Sequence, residues 1–102
     1  MASYGEAQSS AGIPVKINIE YPTDRNGLIY SIIFWGDVAG EFVLKVNGIV
    51  KAGGRTSPQN RTLQLDFSAA PIGVQVGDYL EIDATHYEQG LRTLKAVLLT
   101  IS

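Results

Sequence analysis

The chain contains no cysteine. That excludes a disulfide framework, a zinc–thiolate site and a cysteine-ligated iron–sulfur cluster. Histidine occurs once, at His86, and tryptophan once, at Trp35. A metal centre needs several convergent ligands, and His86 with Asp83 and Glu88 offers three at best, without diagnostic spacing. No metal and no cofactor is expected. Charge is scarce as well: Asp, Glu, Lys and Arg make up 18% of 102 residues, with 8 basic against 10 acidic side chains. A net charge of −2 lacks the basic excess of a nucleic-acid binder. No run of about 18 apolar residues is present, so no transmembrane helix and no membrane insertion are expected. The opening MASYGEAQSSAG has neither the basic nor the apolar region of a signal peptide. The compartment stays open; a virion part, or an extracellular assembly reached without a signal, is the favoured reading.

Helical patterning is also missing. No window of about 11 residues carries a 3.6-residue apolar stripe. What is present is a succession of short runs that alternate or are wholly apolar, separated by turn residues, which is the pattern of an all-β sandwich of six to seven antiparallel strands. A closed barrel is the alternative, but the loop GGRTSPQN and the crossing SAAPIGVQVG fit connections between two sheets better. The length suits one domain. Residues 1–12, small and polar, read as a flexible N-terminal arm, and residues 13–102 as a single β-sandwich domain.

Within that domain, Ile13–Tyr21 alternates, with Ile13, Val15, Ile17, Ile19 and Tyr21 on one face. Turn residues follow at 22–27. Leu28–Trp35, LIYSIIFW, then breaks the alternation: seven of its eight residues are apolar or aromatic. Such a strand needs cover on both faces, or exposes an aromatic surface on one. Phe42, Leu44 and Val46 point inward from the next strand, and Asn47-Gly48 is a strong signal for a two-residue hairpin. The return strand Ile49–Ala52 is short and belongs at an edge. Leu63, Leu65 and Phe67, then Leu80, Ile82 and Ala84, continue the inward face. His86–Gly90 reads as a turn, and Thr93–Ile101 is a last strand apolar on both sides.

From residue 41 to 102, the sequence of Lys45-Val46-Asn47-Gly48, Leu63-Gln64-Leu65, Val76-Gly77-Asp78-Tyr79-Leu80-Glu81-Ile82-Asp83-Ala84-Thr85 and Gly90 resembles a bacterial or phage immunoglobulin-like domain. That family often has Asp after its Ala-Thr; His86 stands there instead. The resemblance implies an immunoglobulin-like sandwich of the kind found in adhesins, virion proteins and modules appended to glycan-active enzymes, which bind or space rather than catalyse.

No catalytic constellation stands out, and no enzymatic activity is expected. There is no nucleophile elbow and no phosphate-binding glycine loop. Glu81 and Asp83 share a strand face at roughly 7 Å, within glycosidase range, but read as a solvated polar face. His86 reads as a solvated loop residue. Asn60-Arg61-Thr62 matches a glycosylation acceptor and, without a signal peptide, reads as chance.

Two functional classes remain. The first is a structural module that associates with its own copies or other protein subunits. Its candidate interface comprises Tyr4 in the arm, Ile29 and Ile33 on the central strand, Ile49 at the edge, and Val97 and Leu99 on the last strand. If the central and last strands are neighbours, they leave an apolar outer surface. The second is a carbohydrate-binding domain, in which exposed Trp35 with Asp37, and Tyr87 with His86 and Gln89, would stack and hydrogen-bond a glycan. It requires Trp35 at the surface; the competing reading makes Trp35 the core tryptophan of the sandwich.

Overall fold

In a computed structural model, residues 2–17, 19 and 26–101 are described; the turn expected at 22–27 lies mostly outside them, as does Tyr21. Two antiparallel sheets stack into a β-sandwich. The described residues form nine strands: β1 (Ala2–Ser9), β2 (Val15–Ile17), β3 (Gly27–Gly36), β4 (Gly40–Val46), β5 (Ile49–Arg55), β6 (Thr62–Asp66), β7 (Ile72–Val74), β8 (Leu80–His86) and β9 (Arg92–Ile101). Sheet A runs β1-β9-β3-β6, with β7 also paired to β3, and sheet B runs β2-β8-β4-β5. Among the described residues no helix is long and apolar enough to cross a membrane.

The count exceeds the expected six to seven for two local reasons, and one expected strand is longer than its sequence suggests. Residues 2–9, expected in a flexible arm, instead form β1, held along eight residues against β9. Small polar composition suggests disorder, but an edge strand needs only one pairing partner and little side-chain burial. Residues 72–74, expected in a connection, add a short strand to β3 beside β6. The return strand from Asn47-Gly48 continues through Gly53 and Gly54 to Arg55. Gly54 faces Leu63 of the opposite sheet so closely that a Cβ would collide with it, which explains a glycine in a strand interior here.

The core lies between the sheets. Ile29, Ile32, Phe34, Leu94, Ala96 and Leu98 from sheet A meet Ile17, Phe42, Leu44, Ile82 and Ala84 from sheet B. The Phe34 and Phe42 rings span the gap, with centroids 4.9 Å apart and planes tilted by 31°. Ile13, expected inward, is 58% exposed because β2 begins only at Val15.

The central strand owes its irregular pattern to a β-bulge. Ile29 pairs with Thr100 and Ser31 with Leu99, leaving Tyr30 as an extra residue on β3. One inserted residue reverses the face of everything before it. Ile29 and Ile32, three positions apart, therefore both point inward and are fully buried. Simple alternation places Ile29 on the same face as Ile33 and Trp35; the bulge separates them.

The Asn47-Gly48 hairpin has the expected left-handed backbone, with φ of 54° and 80°, and it is tied to the loop entering β8. The Asp78 carboxylate accepts from the Gln75 amide at 2.8 Å and from Asn47 Nδ2 at 3.0 Å, while Asn47 Oδ1 accepts from the Tyr79 amide at 2.9 Å. The Gln75 amide first, then Asn47, holds the Asp78 carboxyl below the usual aspartate range. A folded pKa below the unfolded one adds stability above the unfolded value, about 3.9. That stability is lost as pH falls through the lower folded value. Asp78→Ala is expected to be less stable than wild type at neutral pH and to lose less further stability on acidification. Urea unfolding midpoints across the acid range measure both; equal acid slopes for the two proteins would contradict the role of Asp78.

Candidate functional site

Because directly paired residues share a face, the sheet registers determine what each outer surface carries. On β9, Leu94, Ala96, Leu98 and Thr100 are buried, so Thr93, Lys95, Val97 and Leu99 face outward. Tyr4 pairs with Val97, which pairs with Ile33, which pairs with Gln64. The next row is Glu6, Lys95, Trp35 and Thr62, and the row on the other side holds Leu99, Ser31 and Asp66. The outer face of sheet A therefore has an apolar centre built from three neighbouring strands, bordered by polar side chains of β1 and β6.

Trp35 lies on this face and is half-buried; the core reading is incorrect, because Phe34 takes the inward position beside it. Its ring is 6.0 Å from that of Tyr4, tilted by 40°. Tyr4 and Trp35 stand two strands apart, on either side of β9, so the two rings lean together over that strand. Tyr4 is 50% exposed, and its hydroxyl donates to Glu6 at 2.8 Å. That bond pushes the phenol pKa up.

The interface candidates are thus only partly brought together. Tyr4, Ile33, Val97 and Leu99 share one surface, joined by Trp35. Ile29 is in the core, for the bulge reason given above. Ile49 is exposed, but at the β4–β5 hairpin of the other sheet.

The carbohydrate candidates are split as well. Asp37 follows β3 and its carboxylate accepts from the Thr93 amide at 3.3 Å, closing the end of the β3–β9 pair. With Glu6, Gln8, Thr93 and Lys95 it lines a shallow polar hollow of about 410 Å³. His86 is neither solvated nor in the turn. It is the last residue of β8, continues the inward series Ile82 and Ala84, and is fully buried. Its Nε2 donates to the Ser9 carbonyl at 2.6 Å, joining β8 to the end of β1. Nothing among the described residues bonds its Nδ1. Sequence reasoning missed this because the strand was expected to end at Thr85, although the even-numbered inward series, extended one step, includes His86.

No family model matches the chain, and no curated protein matches it. Among solved structures, the insecticidal delta-endotoxin Cry8Ea1 from Bacillus thuringiensis is similar over 96% of this chain and 19% of its own, with 15% identity and a TM-score of 0.47. The chain spans less than a fifth of that protein, and a likeness this distant carries no inference about activity.

The outer face of sheet B is different in character. Its rows are Thr85, Glu41 and Arg55; then Lys16, Asp83, Val43 and Gly53; then Glu81, Lys45 and Val50. The two carboxylates considered for hydrolysis are each engaged with a lysine: Glu81 with Lys16 at 3.0 Å and Asp83 with Lys45 at 3.0 Å. Gly53 contributes no side chain to its row, which opens a groove of about 460 Å³ over Val43. Glu41 and Arg55 form one wall, and also line an adjoining hollow of about 270 Å³ that contains Tyr87. Tyr87, the sequence candidate from the β8–β9 turn, is 69% exposed and donates its hydroxyl to Glu41 at 2.8 Å. Gln89 offers its backbone carbonyl to Arg92 Nε at 3.2 Å and does not line either hollow.

Proposed function

We propose that this chain is a non-catalytic assembly module that joins to further copies of itself through the β1 edge and the adjoining outer face of sheet A. Virion subunits and other surface-exposed multimers are objects of this kind. The observation that carries the reading is the edge of β1, which among the described residues pairs with no strand but β9. Monomeric sheet proteins guard their edges with lysine, proline, bulges or very short strands. β1 has eight residues, no lysine or proline, one charge at Glu6, and an unbroken register against β9. The other edges are shorter or more charged: β2 and β7 have three residues each and β6 five, and β5 carries Lys51, Arg55 and a bulge beside Lys45. The apolar patch of Tyr4, Ile33, Trp35, Val97 and Leu99 begins directly beside the unguarded edge. The immunoglobulin-like turn chemistry of residues 41–102 favours the same non-catalytic class.

The edge also favours one register. Two antiparallel β1 strands paired about Glu6 would oppose like charges, which is unfavourable. Pairing about Gly5 instead sets Tyr4 opposite Glu6 of the second copy, repeating across the interface the tyrosine–carboxylate contact made within the chain. Static light scattering provides the test. Wild type is expected to be dimeric or larger, and Tyr4→Lys and Val97→Lys are expected to return it to a monomer with an unchanged circular dichroism spectrum. A monomeric wild type would overturn the proposal.

A further inference from the structure

We infer that the groove on the outer face of sheet B and the hollow adjoining it form a binding site for a neutral oligosaccharide, with Tyr87 in the hollow as its stacking platform and Glu41 and Arg55, which line both, as its hydrogen-bonding wall. The site is on the opposite sheet from the assembly face and is independent of it. Three features of the groove fit a sugar ring together.

The first is a rigid aromatic surface. Tyr87 follows directly after β8, and its hydroxyl is anchored on Glu41 Oε1, so an exposed ring is held in one place instead of sweeping through solvent. A stacking surface fixed before binding saves the entropy of ordering it. The same hydrogen bond raises the phenol pKa.

The second is paired donor and acceptor chemistry. The other carboxylate oxygen of Glu41 is 3.5 Å from Arg55 Nη2, and the Arg55 side chain is 81% exposed, with further guanidinium N–H groups able to donate. A vicinal diol presents adjacent hydroxyls that each donate and accept, which matches a carboxylate and a guanidinium side by side. The Thr85 hydroxyl adds to the same row. The third is the floor. The Val43 side chain is apolar and Gly53 opposite it adds no side chain, and the volume over them, about 460 Å³, lies within the usual range of small-ligand sites, roughly 300–1,000 Å³. Two carboxylates, Glu41 and Asp83, border the groove and disfavour an anionic ligand such as a phosphate or a sialylated glycan.

A glycan array followed by titration calorimetry on the intact chain tests the assignment. Binding is expected to a neutral oligosaccharide. Tyr87→Ala is expected to weaken it about tenfold, the effect of losing one stacking contact. Arg55→Ala is expected to weaken it similarly, and Tyr87→Phe, which keeps the ring, by less than Tyr87→Ala. Trp35→Ala, on the other sheet, is expected to leave it unchanged. The inference is overturned by an absence of binding across neutral glycans, by binding restricted to anionic ones, or by binding that survives Tyr87→Ala and fails in Trp35→Ala. Light scattering on the same samples reports the assembly reading separately, so the failure of one does not imply the failure of the other.

Discussion

Phe34→Ala is expected to destabilise the fold by about 3–5 kcal/mol, the range for truncating a fully buried phenylalanine. Phe34 is completely buried and is the sheet A half of the ring pair that spans the sandwich. The cost has two parts: the transfer free energy of the lost ring, and the cavity left between sheets whose backbones are pinned by their own ladders and cannot collapse to fill it. For a domain of this size the total stability is about 5–15 kcal/mol, so the loss is a large share of it. Urea denaturation measures it, and a loss under about 1 kcal/mol would mean that the two sheets do not meet through this pair. Phe42→Ala, alone and combined with Phe34→Ala, completes a double-mutant cycle; the coupling between two contacting rings is expected at about 0.5–1.5 kcal/mol.

Gly36→Val is expected to cost about 3 kcal/mol, the upper part of the usual overpacking range. A Cβ at this position would lie 2.7 Å from the Thr93 carbonyl oxygen and 2.8 Å from Leu94 Cδ2. The leucine tip can shift, but the carbonyl cannot, because it accepts from the Asp37 amide at 3.1 Å and belongs to the β3–β9 ladder. Relief of the clash therefore requires β3 and β9 to separate at their junction. Gly73→Ala provides the contrast: nothing lies within 4 Å of the added carbon, and the backbone there is not left-handed. That change is expected to be neutral or to stabilise by about 0.4–1 kcal/mol through a less flexible unfolded chain. Thermal unfolding of the pair reads both, and equal midpoints for the two variants would show that close approach at Gly36 is unimportant.

Much of the strand pattern is legible in the sequence because each strand has one side turned to the core. Phe42, Leu44, Ile82 and Ala84 alternate cleanly, and their burial follows. Asn47-Gly48 forms its hairpin for a reason confined to two residues, the tolerance of asparagine and glycine for positive φ. β1 was not legible, because an edge strand is held mainly by backbone hydrogen bonds, which its own side chains do not announce. The short β7 was hidden in the same way. In the candidate sites, Ile33, Val97 and Leu99 are recognisable as apolar residues in excess of what one core needs, and Tyr4 only as part of the N-terminal arm. Simple alternation puts Ile29 on the same surface, because the bulge at Tyr30 leaves no mark in a run of almost wholly apolar residues.

The amino-acid sequence by itself determines an all-β chain without thiols, with little charge, and with a central strand too apolar for one covered face. These are local properties of composition and period. Only the tertiary structure decides where that apolar excess goes. The bulge at Tyr30 sends Ile29 inward and leaves Ile33 and Trp35 outward; pairing of β3 with β9 sets them beside Val97; pairing of β1 with β9 brings Tyr4 within reach of Trp35. The groove over Gly53 is likewise a product of register, since a glycine of β5 lies opposite Val43, and the hollow beside it is completed by Tyr87, from a distant turn, tied to Glu41. Register joins residues far apart in the chain, and a one-residue slip reverses every face, so these surfaces are fixed by strand pairing and not by any single stretch of sequence.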